Sequence, residues 1–247
     1  MDELEKRLRD ELLRDVNVKL LETAKWSLPI QLFDIEYETV KRTKMDILMK
    51  MLLVAFRTSR FSSAEELSDM LVVEPLFIED IMERMDRAGM IKKSGGAYSL
   101  TETGRQQLES GIYVQPPEKA EATTHFSPTH GTFLVGEPME GTEELYRHAA
   151  NIRKLKEISD DEWRGALDQL DVTYQEGDVQ LVVHAITSVN ELEGKSIPCM
   201  EFRLHQTSED RLYVRVWNTM TSQWDETLEN EIMEKELAEW RENYLGK

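Results

Sequence analysis

The sequence predicts an α+β protein, with a small helical module closed by a hairpin and then a helix-plus-antiparallel-sheet domain. Three observations carry this reading. Apolar residues recur at helical spacing between residues 44 and 110, two short extended runs flank Gly95-Gly96, and period-two alternation marks three segments between residues 179 and 218. Helices gathered before strands, rather than alternating with them, favour separate helical and antiparallel layers.

The chain has 247 residues, and at roughly 100–200 residues per domain that length suits two domains. Its 40% hydrophobic content is enough for packed cores and excludes wholesale disorder. The formal net charge is −18, unevenly shared: residues 1–100 carry 16 Lys and Arg against 19 Asp and Glu, while residues 101–247 carry 14 against 29. The acidic second half repels phosphate backbones and anionic lipid, so a protein partner is the expectation there. No apolar run approaches the ~20 residues that span a bilayer. Asp2 to Asp15 alternates acids and bases, unlike a signal or transit peptide, and a single cysteine, Cys199, forms no internal disulfide or Cys-rich zinc site. A cytoplasmic location with no membrane partner is therefore expected.

Residues 1–43 read as an N-terminal helix and strand arm. Leu4, Leu8 and Leu12 give a narrow apolar seam that either lies on its own domain or meets a second copy or partner helix. In Gln31–Val40, Phe33, Ile35 and Tyr37 alternate with acids, as in a half-buried strand.

Residues 44–113 carry the densest signals. Ile47, Leu48, Met51, Leu52 and Ala55 predict a helix over Lys44–Arg57. Ser62 with Glu65, or Ser63 with Glu66, forms a capping-box pattern ahead of a short helix ending near Val72-Val73. Pro75 suits a first helical position, Ile78, Ile81, Met82 and Met85 form the third stripe, and Gly89 stops it. Met90-Ile91 and Ala97–Leu100 predict a hairpin around Gly95-Gly96, and Thr101 caps a fourth helix closed by Gly111. Helix, short helix, helix, hairpin, helix, together with the stretch GMIKKSGGAYSLTETGRQQL, resembles the winged helix-turn-helix superfamily, in particular MarR-like and PadR-like regulators, over residues 44–112. The resemblance implies a module that reads DNA with its third helix and touches phosphates with its wing.

Residues 114–141 hold four of the seven prolines, Pro116, Pro117, Pro128 and Pro138, and read as a linker, with a short strand at Thr132–Val135. Residues 142–247 read as the acidic α+β domain. Leu145, Ala149, Ile152 and Leu155 predict a helix over Glu143–Ile158, and Asp160-Asp161 open a shorter one. Val179–Val189, Ile197–Gln206 and Arg211–Asn218 predict an antiparallel meander, and Trp224–Tyr244 a closing helix with Leu228, Ile232, Leu237 and Trp240 inward.

Candidate DNA contacts are Arg84, Arg87, Lys92, Lys93 and Arg105. Against them stand five acids on the third helix: Glu74, Glu79, Asp80, Glu83 and Asp86. Each acid turned toward a duplex opposes its field, so two readings stay open: direct DNA binding, or a protein-docking subunit of a nucleic-acid-handling complex without sequence readout. Methionines crowd this segment, and Met-rich surfaces adapt to several partners, although helical spacing places most of them inward.

On the strands, Arg203, Tyr213, Arg215 and Trp217 alternate with apolar residues, which predicts one apolar sheet face and one face for a protein partner, with Glu201 and Arg215 as a cross-strand pair. His125 and His130 form the one local histidine cluster, too sparse to predict a metal or cofactor. No nucleophile elbow, zinc-protease motif, phosphate loop or dinucleotide fingerprint occurs, and Cys199 reads as a small buried hydrophobe. The expected protein is non-enzymatic and regulatory or architectural, as a single chain or a homodimer.

Overall fold

A computed structural model describes residues 2–139, 141 and 143–246. The protein is mixed α and β. In chain order its elements are α1 (Asp2–Leu12), β1 (Val18–Lys44), α2 (Ile47–Thr58), α3 (Ala64–Leu71), α4 (Pro75–Arg87), β2 (Ile91–Ser94), β3 (Ala97–Leu100), α5 (Glu102–Ser110), β4 (Ile112–Val114), β5 (Glu118–Ser127) and β6 (Thr132–Leu134). They continue with α6 (Asp160–Gln169), β7 (Tyr174–Glu176), β8 (Val179–Glu191), β9 (Lys195–Gln206), β10 (Arg211–Asn218), β11 (Gln223–Trp224) and α7 (Glu226–Leu245). Two compact units result: Met1–Ile35, Ala122–Leu170 and Val189–Lys247 form the first, Glu36–Glu121 and Asp171–Ser188 the second. The predicted succession of arm, module, linker and domain is therefore replaced by a chain that returns to each unit.

In the second unit, local chemistry sets nearly every boundary. Asp46 caps α2 by accepting from the Leu48 and Met49 N–H groups at 2.8 and 3.3 Å, so the helix starts after Lys44, which still belongs to β1. Ser63 is the N-cap of α3 but makes no side-chain cap bond; Glu66 instead accepts from the Ser62 N–H at 3.0 Å. Ser68 holds the turn after α3 by donating its hydroxyl to the Val73 carbonyl at 2.6 Å, while Val72 adopts φ 56°. Pro75 opens α4 and Gly89, at φ 66°, closes it. Thr101 accepts from the Gly104 N–H at 3.1 Å and donates to the Gly89 carbonyl at 2.6 Å. A Cβ at Gly104 would lie 2.1 Å from the Met90 carbonyl oxygen, so the Leu-Thr-x-x-Gly start of α5 is a packing requirement. Met49, Leu52, Leu53, Phe56, Leu67, Ile78, Met82, Met85 and Met90 fill the core of this unit, with β2 and β3 paired antiparallel beside it.

In the first unit, β1 is central rather than an arm. Val18–Ile30 pairs antiparallel with β9, with a register shift between Leu20 and Glu22; β9 pairs with β10, and β10 with β11. Pro29 and Pro198 are both tolerated in the ladder because Ser27, opposite Pro198, turns its backbone away from β9. Its N–H donates to the Glu144 carbonyl at 2.7 Å, and its carbonyl accepts from the Tyr146 N–H at 2.9 Å.

Both faces of β9 and β10 are covered. Met200, Phe202 and Leu204 meet Leu8 of α1 on one side, and Cys199, Val214 and Val216 meet Leu228, Ile232 and Trp240 of α7 on the other. The seam of α1 thus lies on its own unit.

Three sequence expectations fail here. Glu118–Ser127, expected as linker, is strand β5; it pairs with β6, the expected short strand, and puts Phe126 and Phe133 inside, because alternating apolar side chains outweigh the prolines at the turns. Residues 143–158 form no α-helix. Leu145 and Ile152 are exposed, Leu155–Glu157 is a single 3-10 turn, and the backbone near Tyr146 bonds to β1 instead. Finally, β8 pairs with β1 and β7, so the meander comprises β9, β10 and β11 only.

Candidate functional site

The predicted DNA contacts all lie in the second unit and all are exposed. Arg84 is bridged to Asp80 at 3.0 Å and Arg87 to Glu83 at 3.1 Å, each one helical turn back. Arg105 is 3.7 Å from Glu102, and the Lys93 ammonium stands 5.0 Å over the Tyr98 ring, while Lys92 is exposed on β2. The arginines of α4 therefore face outward already shared with carboxylates, beside exposed Glu74, Glu79 and Asp86. Exposed i,i+4 pairs contribute only about 0.3–0.5 kcal/mol each, but they lower the positive potential offered to a duplex.

This unit also exposes apolar groups, among them Ile47 and Met51, which the helical spacing puts on the buried stripe of α2 but which Met49, Leu53 and Phe56 replace there. Leu76 and Phe77, in the first turn of α4, are 69% and 61% exposed. Between α2 and α3, a groove of about 390 Å³ is lined by Ile47, Lys50, Met51, Val54, Met70 and Leu71. Met51 and Met70 are thus surface methionines, whereas Met45, Met49, Met82, Met85 and Met90 are buried. The turn that follows holds Val72, 91% exposed and in a left-handed conformation that β-branched residues rarely adopt.

In the first unit, the four predicted partner contacts are occupied internally. Arg203 donates from Nε to Glu201 at 2.9 Å and from a terminal nitrogen to Glu22 at 2.7 Å, with its guanidinium 4.8 Å from the Trp240 ring centre. Arg215 pairs with Glu229 at 2.8 Å, not with Glu201, which lies opposite Val216 in the ladder. Tyr213 and Trp217 pack beneath α1 in the Met200 and Phe202 cluster. The expectation of an open aromatic and arginine face is corrected by α1 and α7, which close the sheet on both sides.

That closure exposes what the sequence could not show. Glu201, fully buried, accepts from Trp26 Nε1 at 2.7 Å and from both terminal nitrogens of Arg147 at 2.7 and 3.1 Å. Glu236 of α7 takes Arg147 Nε and His148 Nε2. Burial opposes the charge of Arg147, but bonds to Glu236 and Glu201 outweigh it and raise its pKa further. Tyr146 donates to Glu231 at 2.9 Å and stacks on Trp26 at 4.4 Å, its hydroxyl pKa pushed up by burial and then by that carboxylate.

His125 and His130 do not act together. Burial, and then the charge of Lys195, lowers the His125 pKa. His130 instead joins Ser127 and Asp225: Ser127 Oγ is 2.7 Å from Nδ1, and Asp225 accepts from Nε2 at 3.0 Å. Asp225 also accepts from Asn218 at 2.9 Å and caps α7 through the Leu228 N–H at 3.2 Å. The order serine, histidine, aspartate is that of nucleophile, base and orienting acid, but Ser127 is wholly buried and both partner side chains are under a tenth exposed, so no substrate reaches the hydroxyl. Burial pushes the Cys199 thiol up, away from a reactive thiolate. Among the described residues, no group of three or more His, Cys, Asp and Glu is placed to hold a metal ion, and no helix is long and apolar enough to cross a membrane.

Comparison of the chain with protein-family models, curated proteins and solved structures finds no match.

Proposed function

We propose that residues 44–113 form a winged helix-turn-helix used to dock a protein partner, in a non-enzymatic subunit of a nucleic-acid-handling complex that does not itself read sequence. The observation that carries this reading is the exposed face of α4, where Leu76 and Phe77 stand among Glu74, Glu79, Asp80 and Glu83 while Arg84 and Arg87 are each tied to a carboxylate. An apolar anchor ringed by acids suits a partner segment that is amphipathic and basic; it opposes a phosphate backbone. The resemblance of the helix and hairpin order to MarR-like and PadR-like regulators supports the fold half of the proposal, and the order of α2 to α5 with the β2–β3 hairpin agrees with it.

Direct DNA binding is the second reading, favoured by the outward direction of Arg84, Arg87, Lys92, Lys93 and Arg105. The two separate in one pair of measurements. For docking, capture from nuclease-treated native lysate retains a partner, Leu76→Asp with Phe77→Asp abolishes capture, and duplex binding at about 0.15 M salt is negligible. For DNA, duplex affinity falls steeply with salt and Arg84→Gln with Arg87→Gln removes it.

A further inference from the structure

Beside the hairpin, on a face that the docking reading does not use, three arginines line one concavity. The last turn of α2, the residues just past it, β3 and the first turns of α5 enclose a pocket of about 420 Å³, lined by Arg57, Ser59, Arg60, Ser99 and Arg105 over Phe56. Lys92 lies directly opposite Ser99 in the β2–β3 pairing and so shares its side of the hairpin.

The arrangement runs against the chemistry of the rest of the chain. With a net charge of −18, carboxylates are available to neutralise surface arginines, as Asp80 and Glu83 do on α4. Here the one ion pair among the described lining residues is the 3.7 Å contact of Arg105 with Glu102, longer than a good hydrogen bond. The partial negative charge at the C-terminus of α2 accounts for a cation at Arg57, in the last turn, but not for Arg60 beyond it or for Arg105 from another helix. Three guanidiniums around one cavity repel one another unless an anion joins them.

We propose that this pocket is an anion site that takes a phosphate group. Guanidinium forks match the tetrahedral oxygens of phosphate better than a single carboxylate, which satisfies one fork and leaves two. The charge of about −1.5 to −2 on a terminal phosphate suits three cations in one cavity. The hydroxyls of Ser59 and Ser99, within the lining, add donors. The group arrives either on a small phosphorylated molecule or on a nucleic-acid backbone; both offer oxygens to the guanidinium forks, and only the terminal phosphate brings the higher charge.

The test uses the full chain and two probes, inorganic pyrophosphate and a short single-stranded oligonucleotide, each titrated by calorimetry at about 0.1 M salt. Binding that Arg57→Gln with Arg60→Gln weakens about tenfold or more, while Arg211→Gln leaves it intact, supports the site. Tight pyrophosphate binding with no oligonucleotide binding assigns a small-molecule source. Oligonucleotide binding that pyrophosphate competes away assigns a backbone source. No binding of either probe, or binding that the double substitution leaves unchanged, overturns the proposal. Thermal unfolding of the variant checks that the exposed substitutions leave the fold intact. The docking reading stands or falls separately, on Leu76 and Phe77.

Discussion

His130 Nε2 sits 3.0 Å from both carboxylate oxygens of Asp225, which joins the β5–β6 turn to the first turn of α7. Asp225 accepts from Nε2, and Nδ1 lies 2.7 Å from the Ser127 hydroxyl. This set of bonds ties the β5–β6 turn to α7. His130→Ala is expected to cost about 1–3 kcal/mol by urea unfolding, from the buried groups it leaves unpaired. Asp225→Ala, which also removes the α7 cap, is expected to cost about 2–4 kcal/mol. A fluorophosphonate probe should leave Ser127 unlabelled in the native chain; labelling there would overturn the sealed reading.

Glu201 is the acceptor on which three donor side chains meet, Trp26 and Arg147 from far along the chain and Arg203 from its own strand. Glu201→Ala leaves Trp26 Nε1 and the two guanidiniums without it, and should lower stability by about 3–5 kcal/mol. Exposed Glu209, bridged to Arg211 at 3.5 Å, is the control, with an expected change within about 0.5 kcal/mol on substitution to Ala.

Two glycines in helices should respond in opposite directions. Gly104→Ala drives a methyl to 2.1 Å from the Met90 carbonyl oxygen and should destabilise by about 1–3 kcal/mol or more. Gly165 in α6 has nothing within 4 Å of where a Cβ would sit, so Gly165→Ala should stabilise by about 0.5–1 kcal/mol. Thermal midpoints of the two variants check the pair.

Acid should unfold the first unit partly through two carboxyls. Bonds from Arg153 first, and then from Ser159, hold the Glu162 pKa down to about 2. Burial pushes Asp225 up, but His130, Asn218 and the Leu228 N–H outweigh it and leave its pKa below the ordinary value. A folded pKa below the unfolded one contributes stability that is complete above the unfolded value and lost as pH falls through the folded value. Urea midpoints should therefore decline below about pH 4.5, and Glu162→Gln should flatten part of that decline.

Much of the second unit was legible because its determinants are neighbours in the chain. Pro75, Gly89 and Gly111 act within a few residues of where they stand, as does the Thr101 cap on the Gly104 N–H, and the hairpin around Gly95-Gly96 and α3 through α5 appear close to their predicted spans. The segment 143–158 misled for the complementary reason. Its apolar residues have helical spacing, but Arg147 and His148 bond Glu201 and Glu236 far along the chain, the Arg153 N–H donates to Gln31 of β1, and those bonds hold it irregular. Arg84, Arg87, Lys92, Lys93 and Arg105 lie on the surface, and the pairing of Arg84 with Asp80 and of Arg87 with Glu83, which spacing alone does not reveal, lowers the positive potential of α4.

Composition and short-range pattern were thus sufficient for the α+β class, the capped helices and the acidic balance, since propensity, capping and turn bonds are settled within about one helical turn. Folding in three dimensions decided that both faces of β9 and β10 are covered, what Glu201 and Asp225 bind, and that Arg57, Arg60 and Arg105 line one concavity. Trp26 and Glu201 are 175 positions apart, and Ser127, His130 and Asp225 join across 95. Contacts that close such long loops leave no periodic trace among neighbouring residues, and only the packed chain brings them within hydrogen-bond reach.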